Sequence, residues 1–315
     1  MLVRFIPACL SVSQKPPSLN SLSKHISLSK FKRGIRRCCL KRPQILPSTS
    51  GDAVGLSVFV LSDLHTDYAE NMKWVKSLST VRHRKDVLLV AGDVAETYDN
   101  FVLTMSLLKD GFEHVFYVPG NHDLWCRDGQ DNACKDFHAC KWPGELSNGD
   151  TSLALYFDAI NENNLNEIKE IQRTCSHIIT FSHFVPRQEL CPEKRMLFYP
   201  KLPKIIGSDY LEVRIRSIHG IQGSASACHV FGHTHFCWDA VVDGIRYVQA
   251  PLAYPRERKR RMNGGENWLP FCIYIDGKFA DTLSPCYWSD YYSANQRTPH
   301  NTKLAPWVAR FYNQT

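Results

Sequence analysis

Val118-Pro119-Gly120-Asn121-His122-Asp123 decides how this chain is read. It follows a short apolar run, Val115-Phe116-Tyr117-Val118, with the pattern of a buried strand. Gly120 supplies a turn where the backbone can approach a bound ion or phosphate. Asn121 and His122 then stand at the C-terminal end of the strand, where open α/β sheets bind their ligands. In isolation the stretch is only a polar turn, and its meaning depends on what the rest of the chain places beside it.

Four further clusters have the same form. Ser62-Asp63-Leu64-His65 follows Val58–Leu61, Ala91-Gly92-Asp93-Val94 follows Val87–Val90, Ser182-His183 follows Ile178–Phe181, and Gly232-His233-Thr234-His235 follows Cys228–Phe231. Every cluster offers carboxylate, imidazole or carboxamide. This mixed nitrogen and oxygen set suits Zn, Mn or Fe better than Ca, which takes oxygen ligands. Residues two apart in a strand face the same side. Asp63 with His65, and His233 with His235, would each approach one site as a pair if the backbone stays extended.

The ordered set Asp-x-His, Gly-Asp, Gly-Asn-His-Asp, His, Gly-His-x-His resembles the calcineurin-like metallophosphoesterase superfamily. All five motifs occur in the family's order, between about residues 56 and 236. The resemblance implies an α/β fold, a two-sheet sandwich flanked by helices. It implies two metal ions, of Mn, Fe or Zn: Asp63, His65 and His235 on the first, Asn121, His183 and His233 on the second, and Asp93 bridging. It also implies hydrolysis of a phosphate mono- or diester, with His122 as general acid and Asp123 orienting its imidazole. Two other classes stay open at this point. One is a phosphate- or protein-binding scaffold without turnover, against which the intact ligand set argues. The other is a nuclease.

Charge bears on the nuclease. The chain of 315 residues has a net charge of +7. However, ten of its 38 Lys/Arg and none of its 31 Asp/Glu fall in the first 50 residues, which leaves 28 basic against 31 acidic residues in the remainder. The body therefore has no overall basic excess to draw nucleic acid, apart from the local run Arg256-Glu257-Arg258-Lys259-Arg260-Arg261. That run reads as a solvated loop or as a phosphate contact at the site mouth. The leader, residues 1–50, is basic, Ser-rich and acid-poor, which is the composition of an organellar transit peptide. The frequent Ser puts chloroplast ahead of mitochondrion, with a cytoplasmic protein bearing a disordered tail as the other reading. The folded domain is then 51–315, and no apolar stretch approaches the length of a membrane span. Twelve cysteines in a chain of this length read as reduced thiols. Cys134-x3-His138-x-Cys140 lacks the spacing of a zinc finger.

Between the motifs the apolar spacing predicts helices over about 69–79, 99–110, 164–174 and 211–219. The opening β-α-β-α-β order calls for a parallel sheet. Asp243-Gly244 and Asp276-Gly277-Lys278 predict two late hairpins, together closing a second sheet. Ser152–Tyr156 fits a strand or a helix start. Residues 124–176 are short of the extra strand and loop that the resemblance implies there. Arg187 and Arg195, in a Pro-rich irregular segment, are substrate contacts or ordinary surface arginines. The aromatic tail, with Tyr287, Trp288, Tyr291, Tyr292 and Trp307, has the composition to pack on the body.

Overall fold

The computed structural model describes residues 4–7, 55–125, 140, 142, 144–147, 150–220, 226–259, 264–281 and 286–313. The Cys134/His138 cluster and most of the leader lie outside them. Each expected motif strand is present: β2 (Val58–Leu61), β3 (Val87–Ala91), β4 (His114–Val118), β5 (Ile178–Phe181) and β6 (Ala227–Phe231). The first hairpin pairs β7 (Trp238–Val242) with β8 (Ile245–Gln249) through Asp243 and Gly244, both at positive φ. The second pairs β9 (Phe271–Ile275) with the short β10 (Lys278–Phe279) through Asp276 and Gly277, again at positive φ. Two consecutive left-handed residues give the turn whose twist matches that of paired strands.

The two hairpins do not share a sheet, which corrects the expectation. One five-stranded sheet runs β10-β9-β2-β3-β4, and the other runs β1-β5-β6-β8-β7, where β1 is Arg4–Pro7. In the first, β2, β3 and β4 are parallel and β9 lies antiparallel on the free edge of β2. In the second, β5, β6 and β8 are parallel and β7 closes the edge. A turn signal fixes which strands pair with each other; it carries no information about which sheet edge receives the hairpin. Strand β1 (Arg4–Pro7), parallel to β5, falls inside the basic leader, before the expected start of the folded domain at residue 51.

The sheets face each other across one apolar layer. Val58, Val60 and Leu89, which share one face of their sheet, meet Ile179, Phe181, Cys228, Val230 and Val248, all at 0–1% exposure. Alternation along β6 sends its other residues outward: Ala227 and Phe231 join a second core with Trp238, Tyr247, Trp288 and Val308. Helices Ala69–Ser77 and Tyr98–Gly111 pack Val75 and Leu108 into the first core. Ser152–Asn161 is helical, followed by Leu165–Thr174 and, after the Pro-rich stretch, Asp209–His219. The aromatic tail forms helices Tyr287–Ala294 and Pro306–Asn313 on the second core. Arg187 is tied to Glu189, Glu212 and Asp243, and Arg195 lies against Glu193 and Thr298, so both follow the structural reading. No helix among the described residues is long and apolar enough to cross a membrane.

Candidate metal centre

Parallel strands of both sheets end at one place. Beyond β2, β3 and β6 the chain turns through left-handed backbone at Asp63, His65, Gly92, Asp93, His233 and His235, with φ between 43° and 82°. Such φ costs roughly 1–2 kcal/mol at a residue with a Cβ. Backbone hydrogen bonds between the loops hold it: Asp63 N to Gly92 O, His65 N to Asp93 O, and Gly232 N to His183 O, at 2.9–3.0 Å. The extended geometry does not persist; Asp63 and His65 still reach one site as a pair, but His233 and His235 part. His235 joins Asp63 and His65, whereas His233 turns to the other group.

Two groups of ligand atoms result. Asp63, His65, Asp93 and His235 form one; Asp93, His183 and His233 form the other, and the ligand atoms in each lie within 4.8 Å of one another. Asp93 belongs to both. Asn121 completes the second group, with its Oδ1 2.8 Å from His183 Nε2 and 2.9 Å from His233 Nδ1. All seven side chains expected as ligands thus converge, and all are buried.

The remaining ring nitrogens show what these atoms are for. His183 Nδ1 donates to the Ala91 carbonyl at 2.9 Å, His233 Nε2 to the Ile205 carbonyl at 3.0 Å, and His235 Nδ1 to Glu257 at 2.7 Å. Each neutral imidazole has then spent its one N–H, and its lone pair faces inward. His235 Nε2 and His65 Nε2 meet at 2.9 Å, and the lone pairs of His183 and His233 both meet an amide oxygen. Lone pairs converge in this way around a cation or around added protons. Electrostatics supports the same exchange. Burial works against charge on His183 and His235, yet Asp93 and Asp63 lift the first to about 9, and Glu257 and Asp63 lift the second to about 9. Burial drives His65 well below its ordinary value. The Asp93 carboxyl, despite burial, is held well below the usual range by His183 and His122. Negative charge here demands positive charge, so the donor set fits bound metal, with outer hydrogen bonds orienting the ligands.

His122 stands at the rim, its backbone N–H on Asp93 Oδ1 at 2.9 Å and its Nε2 3.9 Å from Asp93 Oδ2. The carboxylate on its Nδ1 is Glu96, at 3.1 Å. This corrects the role expected of Asp123. Asp123 accepts from the backbone N–H groups of Asp93, Val94, Ala95 and Gly120 at 2.8–3.1 Å, and so builds the loop that presents Asp93. Burial and the Asp93 charge raise its carboxyl to about 6. Gly120 is needed for close approach: a Cβ there would overlap the Asp93 carboxylate and amide.

Three partners of the site escaped the sequence reading. Glu96 lies three residues past a ligand, outside any strand. Glu257 sits inside the arginine run, where its neighbours set the charge pattern. Tyr254 carries no motif signal; its ring lies 4.4 Å from that of His65 and 4.7 Å from that of His235. The run itself divides. Arg258 turns to Asn71 and Glu266, while Arg256 is exposed over the Tyr254 ring.

A two-sheet α/β sandwich that gathers buried Asp, His and Asn at the ends of its parallel strands is a metal-dependent hydrolase of phosphoesters. Residues 56–237 match the calcineurin-like phosphoesterase family model, and the chain belongs to that family. It is 42% identical over 263 residues to the acyl-carrier-protein phosphodiesterase PptH of Mycobacterium tuberculosis, covering 65% of this chain and 80% of that protein. The crystal structure of phosphopantetheinyl hydrolase PptH from the same organism aligns with TM-score 0.47 and 22% identity, over 72% of this chain and all of the other. A protein of unknown function from Aquifex aeolicus aligns with TM-score 0.29 and 13% identity, over 62% and 90%.

Proposed function

We propose that this chain is a dinuclear-metal phosphodiesterase. The observation that carries it is the single carboxylate, Asp93, common to two buried ligand groups whose imidazole N–H groups are already spent. Asp63, His65 and His235 would hold one ion, Asn121, His183 and His233 the other, and Asp93 both. Ions of Mn, Fe or Zn bound there supply positive charge for the phosphoryl oxygens and acidify a water. The chain's own residues do the rest. His122 Nδ1 is fixed on Glu96, so Nε2 is the atom that faces the reacting phosphoester. A proton on Nε2 passes to the leaving oxygen as its bond to phosphorus breaks. Asp123 keeps Asp93 in place through the backbone and takes no proton from substrate.

The identity with PptH over most of that protein's length supports a diester, and specifically a phosphopantetheine-type group esterified to a carrier protein. Metal analysis of the purified protein, followed by turnover of bis(p-nitrophenyl) phosphate and of a phosphopantetheinylated carrier protein with Mn, Fe or Zn, tests both levels. About two equivalents of metal with turnover of both is expected. One equivalent refutes the dinuclear reading. Inertness toward the carrier alone refutes the substrate reading. The leader is proposed, on its composition, to be a chloroplast transit peptide; a fluorescent fusion of residues 1–50 that stays in the cytoplasm removes that reading.

A further inference from the structure

We propose that Tyr254 is a further catalytic residue, whose hydroxyl donates a hydrogen bond to the leaving-group oxygen beside His122. This deepens the phosphodiesterase reading and rests on it, and it adds a substrate class: esters whose leaving group is a poorly acidic, aliphatic alcohol. The Tyr254 hydroxyl lies 3.4 Å from His122 Nε2. Its backbone is fixed from both sides. Ala253 N donates to the Asp63 carbonyl at 2.9 Å, Asn71 Nδ2 donates to the Ala253 carbonyl at 2.9 Å, and Tyr254 N donates to Glu257, the partner of His235. The ring is wedged against His65, His235 and Tyr68, whose centroid is 5.2 Å away. A phenol so held is aimed at one point.

What that point is follows from donor counting. With Nδ1–H on Glu96, the Nε2 of neutral His122 has only a lone pair, and the Tyr254 O–H donates to it. The phenol O–H is free to turn from Nε2, 3.4 Å away, to an oxygen that comes between them. Two donors then stand side by side over the space where the leaving oxygen must lie to be protonated by His122. As hydroxide oxygen bonds to phosphorus, the bond to the leaving oxygen breaks and its electron pair stays on that oxygen. The Nε2 proton moves there to give the alcohol. Tyr254 keeps its proton and stabilises the charge that builds before transfer is complete. An aliphatic alkoxide needs this help; a nitrophenolate does not.

Tyr254→Phe keeps the ring packing and removes only the donor. The Mn-loaded wild type and variant would be compared on methyl phosphodiesters whose leaving groups run from p-nitrophenol to simple alcohols, with metal content and thermal unfolding measured alongside. Expected are equal metal content, equal unfolding temperature, little loss on p-nitrophenyl esters and about tenfold or greater loss on alkyl esters. The same factor on every leaving group, no loss at all, or loss of metal overturns the proposal. A wild type inert on the whole series overturns the phosphodiesterase reading, and this proposal with it.

Discussion

Asp93 and His122 touch through one 2.9 Å backbone hydrogen bond, yet their substitution should fail in different ways. Asp93→Asn weakens the one ligand that both groups share, so metal content and turnover fall together. His122→Ala leaves the ligand groups complete, so metal stays while rate falls on the order of 10²–10⁴-fold, least for an acidic nitrophenol. A His122→Ala protein stripped of metal as fully as Asp93→Asn would make His122 a ligand. Gly120→Ala is the third case: its Cβ would displace the Asp93 carboxylate, costing roughly 10²-fold in turnover without removing any functional group. Wild-type turnover in that variant would mean the Asp93 loop is loose. The converging Asp, His and Asn side chains were legible from sequence because each follows a strand and carries its own chemistry. Glu96, Glu257 and Tyr254 were not, since the contacts that give them meaning cross 26, 22 and 132 positions of chain.

At the level of elements, β5 and β6 also carry a buried polar network behind the site. His229 lies between the Thr180 and Ser182 hydroxyls at 2.8 and 3.0 Å, and His219, from helix Asp209–His219, reaches Thr180 at 2.8 Å. Burial, with help from Arg216, lowers His219 to about 4, and burial with His219 lowers His229 well below its ordinary value. Both are neutral in the fold. In the unfolded chain a histidine takes up its proton near 6.5, so between about 6.5 and 4 unfolding binds protons and stability falls with falling pH. Above 6.5 the contribution is complete. Urea midpoints taken from pH 7 to pH 4.5 should fall less steeply in His219→Asn than in the wild type; parallel curves would exclude the histidine as the cause. Strand and hairpin positions were readable from apolar runs and Asp-Gly turns. The sheet each hairpin joins was not, because β9 reaches β2 across some 200 residues, and no local pattern encodes that choice.

Across the whole molecule, the aromatic tail closes the second core. Trp288 is 1% exposed and Val308 0%, Trp307 Nε1 donates to the Met196 carbonyl, and Tyr292 bonds Glu193. Trp288→Ala should cost about 3–5 kcal/mol in denaturant unfolding; a loss below about 1 kcal/mol would mean the tail is an appendage. Deleting residues 1–50 removes the β1 edge strand but no metal ligand, so turnover is expected to persist, and its loss would make the leader part of the enzyme. The seven side chains proposed as ligands are drawn from both sheets, four following strands β2 to β4 and three following β5 and β6. On a growing chain, the first four are finished by Asn121 while the last three wait for His183, His233 and His235. Until then the emerging half-site has carboxylates and a carboxamide but only one of its four histidines. On the reading proposed above, neither group of ligand atoms is complete until His233 and His235 have been made, so a metal would be selected only after strand β6 has emerged, and not while the first sheet's strands stand alone.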